Sequence, residues 1–171
     1  MVKSGKRRIY ILIGPKGSGK TYIGNLLEQE LGIKFLRVEQ LLLKHIEKNG
    51  LSNKKLTRDG FDIEEKALAD ALIIEDTVIF EATGSSIYMP SVLENLAKNY
   101  ELKLIKISCP LNICFERVKN RSQQHQFKVE DEIVRQINKK AAKVVLDWDL
   151  VIDNSEPATK QNIITKFTTI I

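Results

Sequence analysis

Eight residues, Gly14-Pro15-Lys16-Gly17-Ser18-Gly19-Lys20-Thr21, limit what this chain can fold into, because they fit G-x-x-x-x-G-K-[ST] at every defined position. They follow the apolar run 9–13, which reads as a buried parallel strand, and precede Ile23, Leu26, Leu27 and Leu31 at helical spacing. Strand, glycine loop and helix together form a cradle for an anion. Gly14, Gly17 and Gly19 are expected to take positive φ and turn backbone N–H groups inward. A helix opening at Lys20 adds its unpaired N–H groups and the positive end of its dipole. Lys20 is placed to reach β- and γ-phosphates, and the Thr21 hydroxyl to ligate Mg²⁺. A bare turn needs neither side chain, so residues 14–21, with Tyr22 beyond them, read as the phosphate site for a nucleoside triphosphate.

The rest of the composition narrows the setting. A length of 171 residues suits one domain that buries most of its apolar surface. Twenty-seven basic against 22 acidic side chains leave a net charge of +5, which suits phosphate handling but is too dispersed to argue for nucleic acid. No stretch approaches the ~20 apolar residues that span a bilayer. Lys3, Lys6, Arg7 and Arg8 read as a solvated lead-in to the first strand, since only five apolar residues follow. Cys109 and Cys114 make neither a metal cage nor a disulfide framework, and they fit apolar filler in a reducing cytoplasm.

Along the chain, strands are expected at 33–38, 77–80, 102–107 and 149–153. Helices are expected at 40–48, 61–75, 90–99, 111–121 and 129–145, with a last one in the tail. Residues 51–60 read as a polar connection and Ser122 to Lys128 as a lid or loop. Apolar strands alternating with helices predict an α/β fold, a three-layer arrangement around a five-stranded parallel sheet. Ligands of such sheets gather at the carboxyl ends of the strands. That rule selects residues 14–21, Glu39, residues 81–86, Cys109 and residues 154–157.

With these residues in place, the chain resembles the small P-loop kinases of the shikimate, gluconate and nucleoside-monophosphate kinase group. The resemblance follows the order of elements over nearly the whole length. It is most specific over residues 8–46, which are similar to shikimate kinase. It implies ATP and Mg²⁺ as cofactors, a small-molecule acceptor, a lid at about 118–130 and acceptor-binding helices at about 39–75. Shikimate kinases carry an Asp-x-Asp pair after the second strand; Arg37 and Glu39 stand at those positions here. Glu39 is thereby a candidate base or orienting group for the acceptor hydroxyl, or else a first-turn acid that stabilises its helix.

The family's triple-glycine turn is matched by Gly84-Ser85-Ser86. Its Gly-Phe-Arg is matched by Gly60-Phe61-Asp62, and a second carboxylate-binding arginine by Lys139 or Lys140. Phe61, Gly84, Ser85, Ser86 and Lys140 are thus candidate acceptor contacts. An acid and a point charge in place of planar guanidinium clamps would hold shikimate itself poorly.

Glu81 ends the third strand, where many P-loop enzymes keep an acid that orders Mg²⁺ through water; a solvent-reaching strand end is the plainer reading. Arg117 and Arg121 share a helix face at i, i+4. By resemblance to adenylate-kinase-like proteins, Arg117 would stack on adenine and Arg121 contact the transferring phosphates, unless both belong to a solvated face. Ser155, Glu156 and Pro157 resemble the segment that borders adenine. His45, His125 and Trp148 show no catalytic or metal spacing. The expected activity is transfer of the ATP γ-phosphoryl to a hydroxyl by a cytoplasmic monomer or homodimer, with Lys20, Glu39 and Arg121 as catalytic residues. Rivals are a nucleoside-monophosphate kinase, a nucleotide-dependent switch with little transfer, and an enzyme acting on a nucleic-acid end.

Overall fold

The computed structural model describes residues 6–49, 56–121 and 130–171. Five strands, β1 (Arg8–Ile13), β2 (Lys34–Leu36), β3 (Thr77–Ala82), β4 (Glu101–Ser108) and β5 (Leu150–Asp153), form one sheet in the order β2-β3-β1-β4-β5. Every pairing is parallel. The helices are α1 (Lys20–Leu31), α2 (Val38–Asn49), α3 (Leu56–Ile74), α4 (Met89–Asn99), α5 (Leu111–Lys119), α6 (Asp131–Ala141) and α7 (Lys160–Phe167).

The strands read as continuous apolar runs because both faces of the sheet are covered. Side chains alternate across a strand, so Tyr10 and Leu12 join Ile79, Phe35 and Ile105 on one face. There they pack with Ile23 and Leu27 of α1 and with Ile163 and Phe167 of α7. Ile9, Ile11 and Ile13 join Val78 and Phe80 on the other, packed with Leu68 and Leu72 of α3 and with Val92 and Leu96 of α4. Fully burying one such side chain is worth about 1.5–3 kcal/mol, so the two clusters carry most of the fold. Trp148 packs against the edge of the second cluster.

Several element ends differ from the sequence reading. α3 begins at Leu56 and runs through Gly60, which was expected to belong to a connection. Gly60 lies against Leu42 of α2, where an added Cβ would stand 3.3 Å from that side chain, so the glycine serves a close helix crossing. β3 continues through Glu81 and Ala82, because both extend its pairing with β1. β2 is shorter than expected, and Val38 already opens α2. α5 stops at Lys119, before Arg121. α6 ends at Ala141, and the following residues leave the helix to bring Val144 beside Gly84 and Asp149 beside β4. The lid stretch Ser122 to Lys128 lies outside the described residues.

β1 lies between β3 and β4, and the chain leaves it toward β2 on one side and returns to β4 on the other. This reversal opens a crevice at the carboxyl end of β1, where the glycine loop begins.

Candidate active site

The loop after β1 is held in shape from three sides. Gly17 and Gly19 have φ of 89° and 102°, a region closed to most side chains. A Cβ on Gly17 would stand 2.1 Å from the Cys114 carbonyl oxygen of α5, and one on Gly19 would stand 2.2 Å from Asn154 Nδ2. Gly14 departs from the expected positive φ. Its need is space, since a Cβ would meet the Ile107 carbonyl oxygen at 2.4 Å.

Two buried asparagines complete the clamp. Asn138 of α6 accepts from the Lys16 N–H at 2.8 Å and donates to the Lys16 carbonyl at 2.9 Å. Asn154, just past β5, donates to the Ser18 carbonyl at 2.8 Å. The Ser18 hydroxyl is fully buried and has no hydrogen-bond partner among the described residues. Gly19 caps α1, so the helix opens at Lys20 as expected. The Lys20 ammonium is buried and donates to the Gly14 and Pro15 carbonyls at 2.8 Å each. A fixed backbone cradle with a buried cation at a helix N-terminus is chemistry suited to a polyphosphate.

Beside it stands a carboxylate. Register places Glu81 of β3 opposite Leu12 of β1, and the Gly14 N–H donates to the Ala82 carbonyl at 3.2 Å. The loop and the end of β3 are thus tied together, and Thr21 in the first turn of α1 meets Glu81. Thr21 Oγ1 lies 3.0 and 3.1 Å from the two carboxylate oxygens. The hydroxyl gives its one proton to Glu81, which leaves its lone pairs for a cation. A hard oxygen donor with a carboxylate behind it fits Mg²⁺.

The cleft over this pair is lined by Lys16, Gly17, Gly19, Lys20, Thr21 and Arg121 toward the phosphate cradle. On the β3 side it is lined by Phe61 and Glu64 of α3, by Glu81, Ala82, Thr83, Gly84 and Ser86, and by Met89 of α4. Phe61 is steadied by an edge contact with Tyr88, ring centroids 6.3 Å apart. Ser85 turns aside to pair with Thr83 at 2.9 Å. Glu39 stands in the first turn of α2, at the carboxyl edge of the sheet, and its side chain lies outside the described residues. Lys140 is exposed on α6 and does not line the cleft, and Tyr22 is also exposed.

Arg117 fixes the wall beyond β4. Its guanidinium donates to the Asn154 carbonyl at 2.9 Å and to the Ser155 carbonyl at 3.2 Å, so its plane is set by the 154–157 turn. Ser155 is half-buried there, while Glu156 and Pro157 are exposed. Burial, then a hydrogen bond with Cys109, pushes the Cys114 thiol up to about 12, so it behaves as apolar filler. α5 and α6, the two helices flanking 122–129, are joined by Arg135 stacked 3.7 Å above the Phe115 ring.

Arg37, at the position of the missing acid, has a structural role. Its guanidinium pairs with Glu28 of α1 at 2.6 Å and with Asn25 at 2.6 Å, bracing α1 against β2. The sequence reading missed Glu64, Met89, Val118, Val134 and Asn138. Glu64 was within reach, because it follows Phe61 by three residues and so shares its helix face. Asn138 carried no such signal, since its partner is 122 residues away.

Among the described residues no helix is long and apolar enough to cross a membrane, and no group of three or more His, Cys, Asp or Glu could form a metal cage. The sequence pattern of the AAA domain family matches residues 9–144. A shikimate kinase of Persephonella marina is 28% identical over 152 residues, covering 85% of this chain and 88% of that protein. Among solved structures, one from Chloroflexus aurantiacus superposes with a TM-score of 0.74 at 15% identity, covering 98% of this chain and all of that one. The deoxyadenosine kinase of M. mycoides with bound dATP superposes at 0.61 and 20% identity, covering 97% and 99%. The chain therefore belongs to the AAA domain family, and it is similar in sequence to a shikimate kinase.

Proposed function

We propose that this protein transfers the γ-phosphoryl group of ATP to a hydroxyl of a small-molecule acceptor, with Mg²⁺ bound at Thr21. The observation that carries this reading is the Thr21–Glu81 pair set between the Lys20 cradle and a cleft walled by Phe61, Thr83 and Ser86. A cradle alone would bind nucleotide; a walled cleft beside it gives an acceptor somewhere to sit.

Mg²⁺ held by the Thr21 hydroxyl, with Glu81 behind it, would supply charge neutralisation to the triphosphate. The chain's own residues do the rest. Thr21 offers a hydroxyl oxygen oriented by Glu81. Lys20 and Arg121 spread the charge that develops on the transferring group, and each such contact is worth on the order of 2–4 kcal/mol. Glu39 orients the acceptor hydroxyl and takes its proton as the new P–O bond forms and the bond to ADP breaks. Arg117, with its plane fixed by the 154–157 turn, offers a face for adenine. Catalysis is then positioning and electrostatics.

The test is incubation with ATP and Mg²⁺ plus panels of neutral sugars, sugar acids, nucleosides and nucleoside monophosphates, following ADP and a phosphorylated product. Acceptor-stimulated ADP supports a kinase. Tight ATP binding with no acceptor-dependent ADP on any panel points instead to a nucleotide-dependent switch.

A further inference from the structure

The β3 side of the cleft contains a group that the phosphate chemistry does not use. Glu64 is only 9% exposed, lines the cleft with Phe61 and Met89, and has no hydrogen-bond or ion-pair partner among the described residues. A carboxyl held nine-tenths buried without a partner in its own chain is an unfavourable arrangement, and it leaves the group available to a ligand in the cleft. Burial, reinforced by neighbouring Glu65, pushes it up to about 8, so near neutral pH it holds a proton and can both donate and accept.

The charges in the cleft are divided by topology. Lys16 belongs to the loop after β1, Lys20 opens α1, and Arg121 follows α5, beyond β4. α3, the end of β3 and α4 lie on the opposite flank, and the described residues they contribute to the lining are two acids, two hydroxyls, an aromatic ring, a thioether, Ala82 and Gly84. They contribute no cation. An acid or phosphate placed there would find no cation to pair with among the described residues of this flank, since Lys16, Lys20 and Arg121 line the side toward the phosphate cradle.

We infer that the acceptor is a hydroxyl compound without an anionic group, seated against Phe61 and Met89 and hydrogen-bonded to the carboxyl of Glu64. This rests on the kinase reading for its location and narrows the substrate class. Neutral sugars, nucleosides and amino sugars belong to it. Sugar acids, shikimate-like acids and nucleoside monophosphates do not.

The test is a binding measurement, kept separate from turnover. Calorimetric titration of the full chain, saturated with Mg²⁺ and a non-hydrolysable ATP analogue, is run with both groups of compounds. The expected result is saturable binding from the uncharged or amino group, weakened tenfold or more by Glu64→Ala and less by Glu64→Gln, which keeps a donor and an acceptor, with affinity for the ATP analogue unchanged. Binding confined to the anionic group overturns the inference. So does an absence of binding on the uncharged and amino panels, or affinity within twofold of the parent in Glu64→Ala. Binding as expected with no phosphoryl transfer leaves the site assignment standing and sinks the kinase reading instead.

Discussion

The side-chain amide of Asn138 holds both backbone polar atoms of Lys16, accepting from its N–H at 2.8 Å and donating to its carbonyl at 2.9 Å. A helix that follows the expected lid thereby grips the middle of the phosphate loop. Replacing Asn138 by leucine removes both bonds to the part-buried Lys16 backbone. That costs about 1–3 kcal/mol for each group left unpaired. The expected outcome is a nucleotide dissociation constant raised tenfold or more by calorimetry, with a lower denaturation midpoint. Asn138→Asp keeps the acceptor and loses the donor, so it should fall between.

The buried acid in the cleft sets a pH dependence of stability. Burial and Glu65 raise Glu64 to about 8, above its ordinary value of 4.5. Between those values the folded chain holds a proton that the unfolded chain releases, so stability falls as pH rises. The slope is about 1.4 kcal/mol for each pH unit in that window, and the loss is complete above pH 8. Glu64→Gln mimics the protonated form. It should match the parent at pH 5 and exceed it by a few kcal/mol at pH 8.5 in urea titrations. A variant less stable than the parent at pH 8.5 would contradict this.

Much of this site was legible because its chemistry is local in the chain. Gly17, Gly19, Lys20 and Thr21 sit in eight consecutive residues, and the apolar run before them can only be a covered strand. Glu81 was also within reach as the first charge at the end of a buried run. What could not be read is what the fold brings from afar. Asn138 reaches the loop across more than a hundred residues with no spacing rule to link it, and Asn154, selected by the strand-end rule, gave no sign that it would clamp the Ser18 carbonyl. Gly60 misled for a related reason: a glycine in a polar stretch looks like a break until the packing of Leu42 explains it. Arg37 was visible as a departure from the family's acid pair. Only its contacts with Glu28 and Asn25 show the structural work it does.

That role gives its own prediction. Arg37 is about one-third exposed, so its pair with Glu28 is screened, yet it also bonds Asn25 and lies 5.2 Å over the Phe35 ring. Arg37→Ala should cost about 1–2 kcal/mol of stability by denaturant titration. Turnover should stay within twofold of the parent, because none of these partners lines the cleft. A hundredfold loss of turnover would place Arg37 in the chemistry.

The Thr21–Glu81 pair supports the sharpest kinetic test. If Glu81 acts by orienting the Thr21 hydroxyl toward Mg²⁺, the two residues form one unit and their losses do not add. Thr21→Val and Glu81→Gln should each lower kcat by 10²–10³-fold, while affinity for ATP without Mg²⁺ changes little, since the Lys20 cradle is untouched. The double variant should be about as slow as the worse single one. Raised Mg²⁺ should partly restore Glu81→Gln, which keeps the threonine oxygen, and should do less for Thr21→Val, which lacks it. Losses that multiply in the double variant would mean that Glu81 acts on the acceptor independently of Thr21, and the carboxylate would then belong to the other half of the cleft.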